Sequence, residues 1–349
     1  MKQITLCITG GHLTPALAVI EEIMRQNSNW NLLFIGRSHA FEGGGSPTQE
    51  ERLIRAFGIP FHALFTGRQG PSLWKFPIGL FQSFFLLASH RPTAVLSFGG
   101  YIALPVAIGA WILRIPIITH EQTGGLGLAN KIIARLAWRV IFSSESGMPL
   151  RRALFNPPEK PSFTVDTKPP ILYVTGGSTG AASLNALVYP LIAELTKTYT
   201  VIHQVGSGGV SEALRVQESL SLEAKRRYVI SDYFDESNLA WIYRHCSLLV
   251  GRSGANTVAE VAALGVPALF IPLPWSAGNE QMNNARRLVK EGMAVVMKQK
   301  KLASGILIRQ IDEIMQTISQ LRKAAGTVAK MYPHSGAEKV VTSIRSMLS

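Results

Sequence analysis

The chain has 349 residues, enough for two domains of ordinary size, and its 47% hydrophobic and 16% charged content argues against disorder. Its formal net charge of +13 calls for an anionic partner: nucleic acid, an anionic membrane or a phosphorylated substrate. No RNA- or DNA-binding signature is visible, which ranks nucleic acid last.

In chain order, the first predicted strand covers 4–8 and stops at Thr9-Gly10-Gly11-His12, so the apolar N-terminus reads as a strand, not a signal peptide. A helix follows over 15–24, with Pro15 near its start, and then a strand over 31–35. Residues 39–49 are glycine-rich and read as a loop, 50–57 as a helix and 61–65 as a strand. Residues 73–87 are unusually aromatic, with Trp74, Phe76, Phe81, Phe84 and Phe85, and basic neighbours flank them. This stretch is too short to span a bilayer; it reads either as an interfacial amphipathic element or as a core helix. Short strands at 94–97, 116–119 and 139–142 end in or precede polar turns, Phe98-Gly99-Gly100-Tyr101 after the first and His120-Glu121-Gln122 after the second. The alternation of periods near 2 and 3.6 favours a parallel sheet.

Residues 156–170 hold five prolines and no period, and 157–170 reads as a linker between a domain over 1–156 and one over 171–334. The second half repeats the first, with strands at 171–174, 200–204, 228–230, 248–250 and 268–271, and a last helix within 335–349 is expected to pack across either domain. Cys7 and Cys246 sit far apart in apolar runs and read as buried, reduced thiols.

The repeat carries chemistry. Residues 4–12 read ITLCITGGH and residues 171–180 read ILYVTGGSTG: twice, an apolar strand ends in Thr-Gly-Gly and opens a helix. Such a turn is an anion-binding device, because glycines allow close approach and the first helical N–H groups point at the ligand. Two copies half a chain apart point to two doubly wound α/β domains facing across a cleft. A third such turn, Gly251-Arg252-Ser253-Gly254, opens a helix through Ala255-Asn256-Thr257-Val258-Ala259-Glu260. The small residues suit a phosphate or a plain helix cap, and Glu260 either accepts from ribose hydroxyls or faces solvent. An amide-rich helix start at 278–285 follows a proline loop and suits sugar hydroxyls or a capped loop.

Taken together, TGGHxxPAL, the FGGY turn, HEQ…N, GGSxGA, RSGAxTVAE and the NEQxxNA loop resemble, in order and through nearly the whole chain, the MurG family of GT-B glycosyltransferases. The resemblance implies two Rossmann-like domains and transfer of N-acetylglucosamine from UDP-GlcNAc to lipid I, a polyprenyl-diphosphate-linked acceptor, giving lipid II for peptidoglycan. It implies that uracil meets backbone at Tyr233-Phe234-Asp235, with Phe234 foremost. Glu260 would bind ribose, and Ser178 with Ala255-Asn256-Thr257 and the following Val258 and Ala259 would hold the diphosphate. Gln281 and Glu280 would hold the sugar, with Thr123 also on the donor side. Thr9, Gly10 and Gly11 are counted with the donor set and also placed, with Gly99, Gly100 and Tyr101, at the acceptor diphosphate. His120, Glu121, Gln122 and Asn130 would lie on the acceptor side.

His12, at the mouth of the first glycine turn, is the expected general base by position and by resemblance; the alternative is a histidine that orients the turn. The chain holds no Asp-x-Asp, so no metal is required, although Mg²⁺ can assist; helix N-termini would receive the departing UDP and the anomeric carbon would invert. The implied location is peripheral, on the anionic cytoplasmic face of the cell membrane. Another lipid or soluble acceptor, or a UDP-GlcNAc 2-epimerase of the same architecture, are the alternatives. The chain differs from the family pattern at its short first glycine loop and at Thr123, Glu159 and Glu280.

Overall fold

A computed structural model of the chain describes residues 3–26, 29–37, 48–66, 74–122, 127–177, 180–299 and 304–348. They divide into two compact units, 1–151 with 333–349, and 152–332. The first unit runs β1 (Thr5–Thr9), α1 (Leu13–Arg25), β2 (Asn31–Gly36), α2 (Gln49–Ala56), β3 (Phe61–Ala63), α3 (Lys75–His90), β4 (Ala94–Ser97), α4 (Ala103–Ile112), β5 (Ile117–Glu121), α5 (Leu128–Leu136), β6 (Arg139–Phe142) and α6 (Ser143–Ser146). The second runs β7 (Ile171–Thr175), α7 (Ala182–Val188), α8 (Ile192–Thr198), β8 (Thr200–Gln204), α9 (Val210–Glu218), α10 (Leu222–Arg226), β9 (Tyr228–Ser231), α11 (Glu236–His245), β10 (Cys246–Gly251), α12 (Ala255–Leu264), β11 (Ala268–Phe270), α13 (Glu280–Lys290), β12 (Ala294–Val296), α14 (Ser304–Gln316) and α15 (Ile318–Met331). The last helix, α16 (Gly336–Leu348), returns to the first unit.

Each unit is a six-stranded parallel sheet, ordered β3-β2-β1-β4-β5-β6 and β12-β11-β10-β7-β8-β9. In both, the chain starts in the middle and winds outward each way, so a switch point falls between β1 and β4 and again between β7 and β10. In such sheets a crevice opens at the carboxyl ends of the strands flanking the switch point, which is where a ligand site belongs. Strands β4, β5, β7 and β8 are buried along their whole length, as parallel strands covered on both faces must be.

The pleat sorts side chains to two cores. In β1, Leu6 and Ile8 join Leu17 and Ile20 of α1 and Val340 and Ile344 of α16, while Cys7 faces Val106 and Ala107 of α4 and Ile133 of α5. The expected C-terminal helix thus seals one face of the first sheet. Both cysteines are buried free thiols, and burial raises both above their ordinary pKa, Cys246 to about 12.

The proline-rich stretch is not a free linker. Phe163 and Val165 pack on the second core, Ser162 N–H donates to Asn238 Oδ1 at 2.9 Å, and the Asp166 carbonyl accepts from Thr200 Oγ1 at 2.7 Å. The division falls instead at 151/152 and at 332/333. Proline content hides this, because two apolar anchors in an aperiodic segment leave no pattern to read. Strand β12, absent from the sequence expectation, closes the second sheet's edge against β11.

Candidate active site

At the first switch point, the exits of β1 and β4 touch. A Cβ on Gly11, whose φ is +135°, would lie 2.0 Å from the Gly99 carbonyl oxygen, so no other residue permits that approach. Three N–H groups of the two turns are used within the protein. Gly10 donates to Ile35 O at 2.7 Å, Gly99 to Ser97 Oγ at 3.1 Å and Gly100 to Asn130 Oδ1 at 3.2 Å, while the Gly11 N–H lies near the Glu50 carboxylate. The N–H groups of Gly10, Gly99 and Gly100 therefore reach a substrate phosphate only by giving up these partners, and the glycines also serve close packing. Thr9 is also fully buried, and its hydroxyl finds no partner among the described residues. The N-cap of α1, His12, makes no side-chain capping bond.

His12 is half-buried, and its Nδ1 lies 2.8 Å from the Phe98 carbonyl oxygen. A carbonyl only accepts, so in the neutral ring Nδ1 carries the proton and Nε2 keeps the lone pair. That is the tautomer a base needs. Gln122 Nε2 donates to the same carbonyl at 3.3 Å. Asn130 Nδ2 donates to Glu121 Oε2 at 2.6 Å, so Asn130 couples β5 to the Gly99-Gly100 turn after β4. Tyr101 accepts at its hydroxyl from Arg37 Nη1 at 3.2 Å. His120 is no rival base: it is fully buried, its Nε2 lies 3.3 Å from Ser146 Oγ, and burial drops its pKa to about 4, so it stays neutral and out of reach.

The second switch point carries the other set. Gly177 N–H donates to Thr175 Oγ1 at 3.0 Å, and the Gly177 carbonyl accepts from Gln204 Nε2 at 3.0 Å. Gln204 Oε1 in turn accepts from Phe234 N–H at 3.1 Å. The Phe234 ring is a core side chain against Phe163 and Tyr173, and its N–H is taken, so a uracil carbonyl cannot use that N–H without displacing Gln204.

Helix α12 starts at Gly254, an N-cap without a side chain, which leaves the first-turn N–H groups at Ala255, Asn256 and Thr257 open to an anion. Val258 and Ala259 point into the core instead, and the Val258 N–H donates to Gly254 O at 3.0 Å. Ser253 Oγ donates to the Gln281 carbonyl at 2.8 Å, and Gln281 Oε1 accepts from Leu273 N–H at 2.9 Å, so the amide-rich helix start is fastened to the start of α12. Glu280 is half-buried in the first turn of α13.

Glu260 is not a solvated helix residue. It is 7% exposed, and its Oε2 accepts from the Tyr243 hydroxyl at 2.6 Å. Burial lifts its carboxyl to about 7, with the Tyr243 hydrogen bond pulling the other way.

Residues 4–142 match the glycosyltransferase family 28 N-terminal domain and residues 171–340 the family 28 C-terminal domain. The UDP-N-acetylglucosamine--N-acetylmuramyl-(pentapeptide) pyrophosphoryl-undecaprenol N-acetylglucosamine transferase of Tolumonas auensis is 32% identical, with 97% of each chain covered. The chain belongs to glycosyltransferase family 28. The crystal structure of MurG from Acinetobacter baumannii matches with a TM-score of 0.70 at 24% identity over 99% of both chains. The UDP-GlcNAc 2-epimerase of Neisseria meningitidis, solved bound to UDP-GlcNAc, reaches 0.68 at only 14% identity, over 99% of this chain and 100% of that one. The fold alone is thus shared with the epimerase; sequence identity along the whole length is what separates the two readings.

Within this family 28 chain, three site-building residues escaped the sequence reading. Glu50 is one of several polar residues opening α2, and Gln204 ends the fully buried strand β8, so neither leaves a local signal. Arg252 stood inside a quoted motif without a role. It is buried, with Nη1 donating to Ile271 O and Nη2 to Ser183 Oγ, both at 2.7 Å, and no carboxylate pairs with it among the described residues. Burial lowers its pKa to about 10, which leaves it charged at neutral pH beside the second glycine turn and the start of α12. Thr123 and Ser178 lie outside the described residues.

The aromatic helix α3 is built inside out. Gly79, Ser83 and Leu87, spaced by four, form its buried stripe, and Gly109 of α4 approaches Leu87 and the Phe84 backbone. Trp74, Phe81 and Phe85 are 62%, 66% and 53% exposed, and Phe76 and Phe84 are half-buried. The Phe81 and Phe85 ring centroids are 4.5 Å apart, and Lys75 Nζ lies 5.7 Å above the Trp74 ring. No helix among the described residues is long and apolar enough to cross a membrane.

Proposed function

We propose that this chain is the inverting transferase that moves GlcNAc from UDP-GlcNAc to the C4 hydroxyl of the muramoyl unit of lipid I, making lipid II for peptidoglycan. Its relationship to the Tolumonas auensis transferase, 32% identical along 97% of each chain, carries the reading. The site chemistry agrees with it. His12 Nε2, the free lone pair of a ring oriented by Phe98 O, takes the proton as the acceptor oxygen attacks the anomeric carbon. The bond from that carbon to the UDP oxygen breaks on the opposite face, so an α-donor yields a β-linkage. The charge that develops on UDP falls to the open N-terminus of α12 and the buried Arg252 guanidinium. Positive charge from these groups makes a metal unnecessary for departure. Glu260, ionised, accepts from ribose hydroxyls, and Gln281 with Glu280 orients the sugar.

The exposed aromatic side of α3, with Lys75 beside it, seats the protein peripherally on the anionic cytoplasmic surface, where the lipid-linked acceptor resides. Labelled UDP-GlcNAc is incubated with a lipid I analogue, and lipid-linked product is separated from free GlcNAc and epimer. β-Linked GlcNAc on the lipid is expected. Turnover of UDP-GlcNAc without acceptor would show an epimerase instead, and transfer only to soluble acceptors would remove the lipid reading. In parallel, vesicles containing anionic phospholipid should bind the protein, and Phe81→Ser with Phe85→Ser should weaken that binding.

A further inference from the structure

The Glu50 carboxylate is built into the first glycine turn. Thr48 caps α2, accepting from Glu51 N–H at 3.1 Å, while its own hydroxyl donates to Arg37 O at 2.6 Å. This double bond of one hydroxyl ties the start of α2 to the end of β2 and sets Glu50 beside the exit of β1. Gly10 and Gly36 form its seat: a Cβ on either would lie 2.6 Å from a Glu50 carboxylate oxygen. The carboxylate accepts from Arg37 N–H at 3.0 Å, and the Gly11 N–H acts on the same group. Burial pushes the carboxyl upward, and these two N–H groups and the Arg37 guanidinium draw it back.

We propose that Glu50 is a positioning residue for the transfer: its carboxylate is the resident anion of the first glycine turn and fixes the backbone from which His12 projects. The inference rests on reading His12 as the base. The turn is pinned from two sides, by the Glu50 carboxylate against Gly10 and by the Gly99 carbonyl against Gly11. His12, the next residue, is pinned through Nδ1 to Phe98 O. Without the carboxylate, the Arg37 N–H loses its acceptor and Gly10 loses the group packed against it, and on the β2 side the turn keeps only the Gly10 N–H bond to Ile35 O. The direction of His12 Nε2 then loosens, and a small misplacement of a base is costly.

The test compares Glu50→Ala and Glu50→Gln with the wild-type chain in the lipid I transfer assay, with thermal melting alongside. In Glu50→Ala, kcat is expected to fall about 10- to 100-fold with the UDP-GlcNAc KM within about twofold of wild type. Glu50→Gln, which keeps one acceptor oxygen, should fall between the two. Sodium formate, a carboxylate small enough for the vacated seat, should restore a saturable part of kcat in Glu50→Ala, and sodium chloride at equal ionic strength should not. Wild-type kcat in Glu50→Ala overturns the proposal. So does a loss that neither glutamine nor formate relieves, because that pattern belongs to a side chain needed only for folding. Absence of transfer by the wild-type chain sinks the functional reading itself, before any variant is compared.

Discussion

The two Thr-Gly-Gly turns share a sequence, a place beside a switch point and a strand-to-helix geometry, yet their neighbours carry opposite charge. The turn after β1 has a carboxylate, Glu50, seated against Gly10 and acting with Gly11, and a half-buried imidazole next to it. The turn after β7 has Arg252, whose backbone N–H donates to Thr175 O at 3.1 Å and whose buried guanidinium has no acid paired with it among the described residues. One backbone device is thereby set to two uses. On the proposed reading, the acid beside the first turn steadies the base, and the cation beside the second favours a departing diphosphate.

This contrast can be broken in order of expected effect. His12→Ala should lower kcat about 10²- to 10⁴-fold, the usual scale for a lost base, while UDP affinity by calorimetry stays nearly unchanged. Wild-type turnover in that variant would remove His12 as the base and make the first turn purely structural. Gly11→Ala drives a methyl into the Gly99 carbonyl and should destabilise the fold by about 3 kcal/mol or more, whereas Gly177→Ala meets no atom within 4 Å and should cost only the left-handed backbone strain, about 1–2 kcal/mol. Equal melting-temperature losses in the two variants would show that the first turn is no tighter than the second.

Arg252→Met should weaken UDP-GlcNAc binding by about 1.5–3 kcal/mol, the range for hydrogen bonds to a charged group, and leave acceptor KM nearly unchanged. A larger effect on acceptor than on donor KM would reverse the assignment of the two turns. The smallest effect is a pH dependence. Burial raises the Glu260 carboxyl to about 7, so it is ionised above that pH and protonated below it. Ribose hydroxyls need an accepting carboxylate, so UDP affinity should be highest above about pH 7 and decline as pH falls through it. In Glu260→Ala that decline should vanish, with UDP affinity lower by about 1–3 kcal/mol at high pH. A pH profile identical in wild type and variant would exclude ribose binding by Glu260.

Much of this contrast was half legible in the chain. The alternation of apolar strands and amphipathic helices announced two doubly wound sheets, and the glycines at strand exits marked both switch points. His12 was legible because it abuts a glycine turn. Glu260 was legible as a candidate, but its burial was not: the motif around it reads equally as a solvated helix, and only the packing of Tyr243 and Tyr173 shows the carboxyl enclosed. The α3 face was legible in its residues and ambiguous in its direction, because the buried side is set by what packs on it: Phe65 and Thr66 against Gly79, and Gly109 of α4 against Phe84 and Leu87.

The chain alone set the local events: where strands end, which turns tolerate a positive φ, which helices can form, and the order in which the small-residue turns recur. Those follow from sterics and periodicity within a few residues. Only the tertiary structure decided which turn N–H groups are already paired, which acid and which guanidinium stand beside which turn, and which aromatic residues face outward. Hydrogen bonds and burial are settled between residues far apart in the chain, as Gly10 with Glu50 and Arg252 with Ser183 are, and no local pattern of residue types records such a meeting.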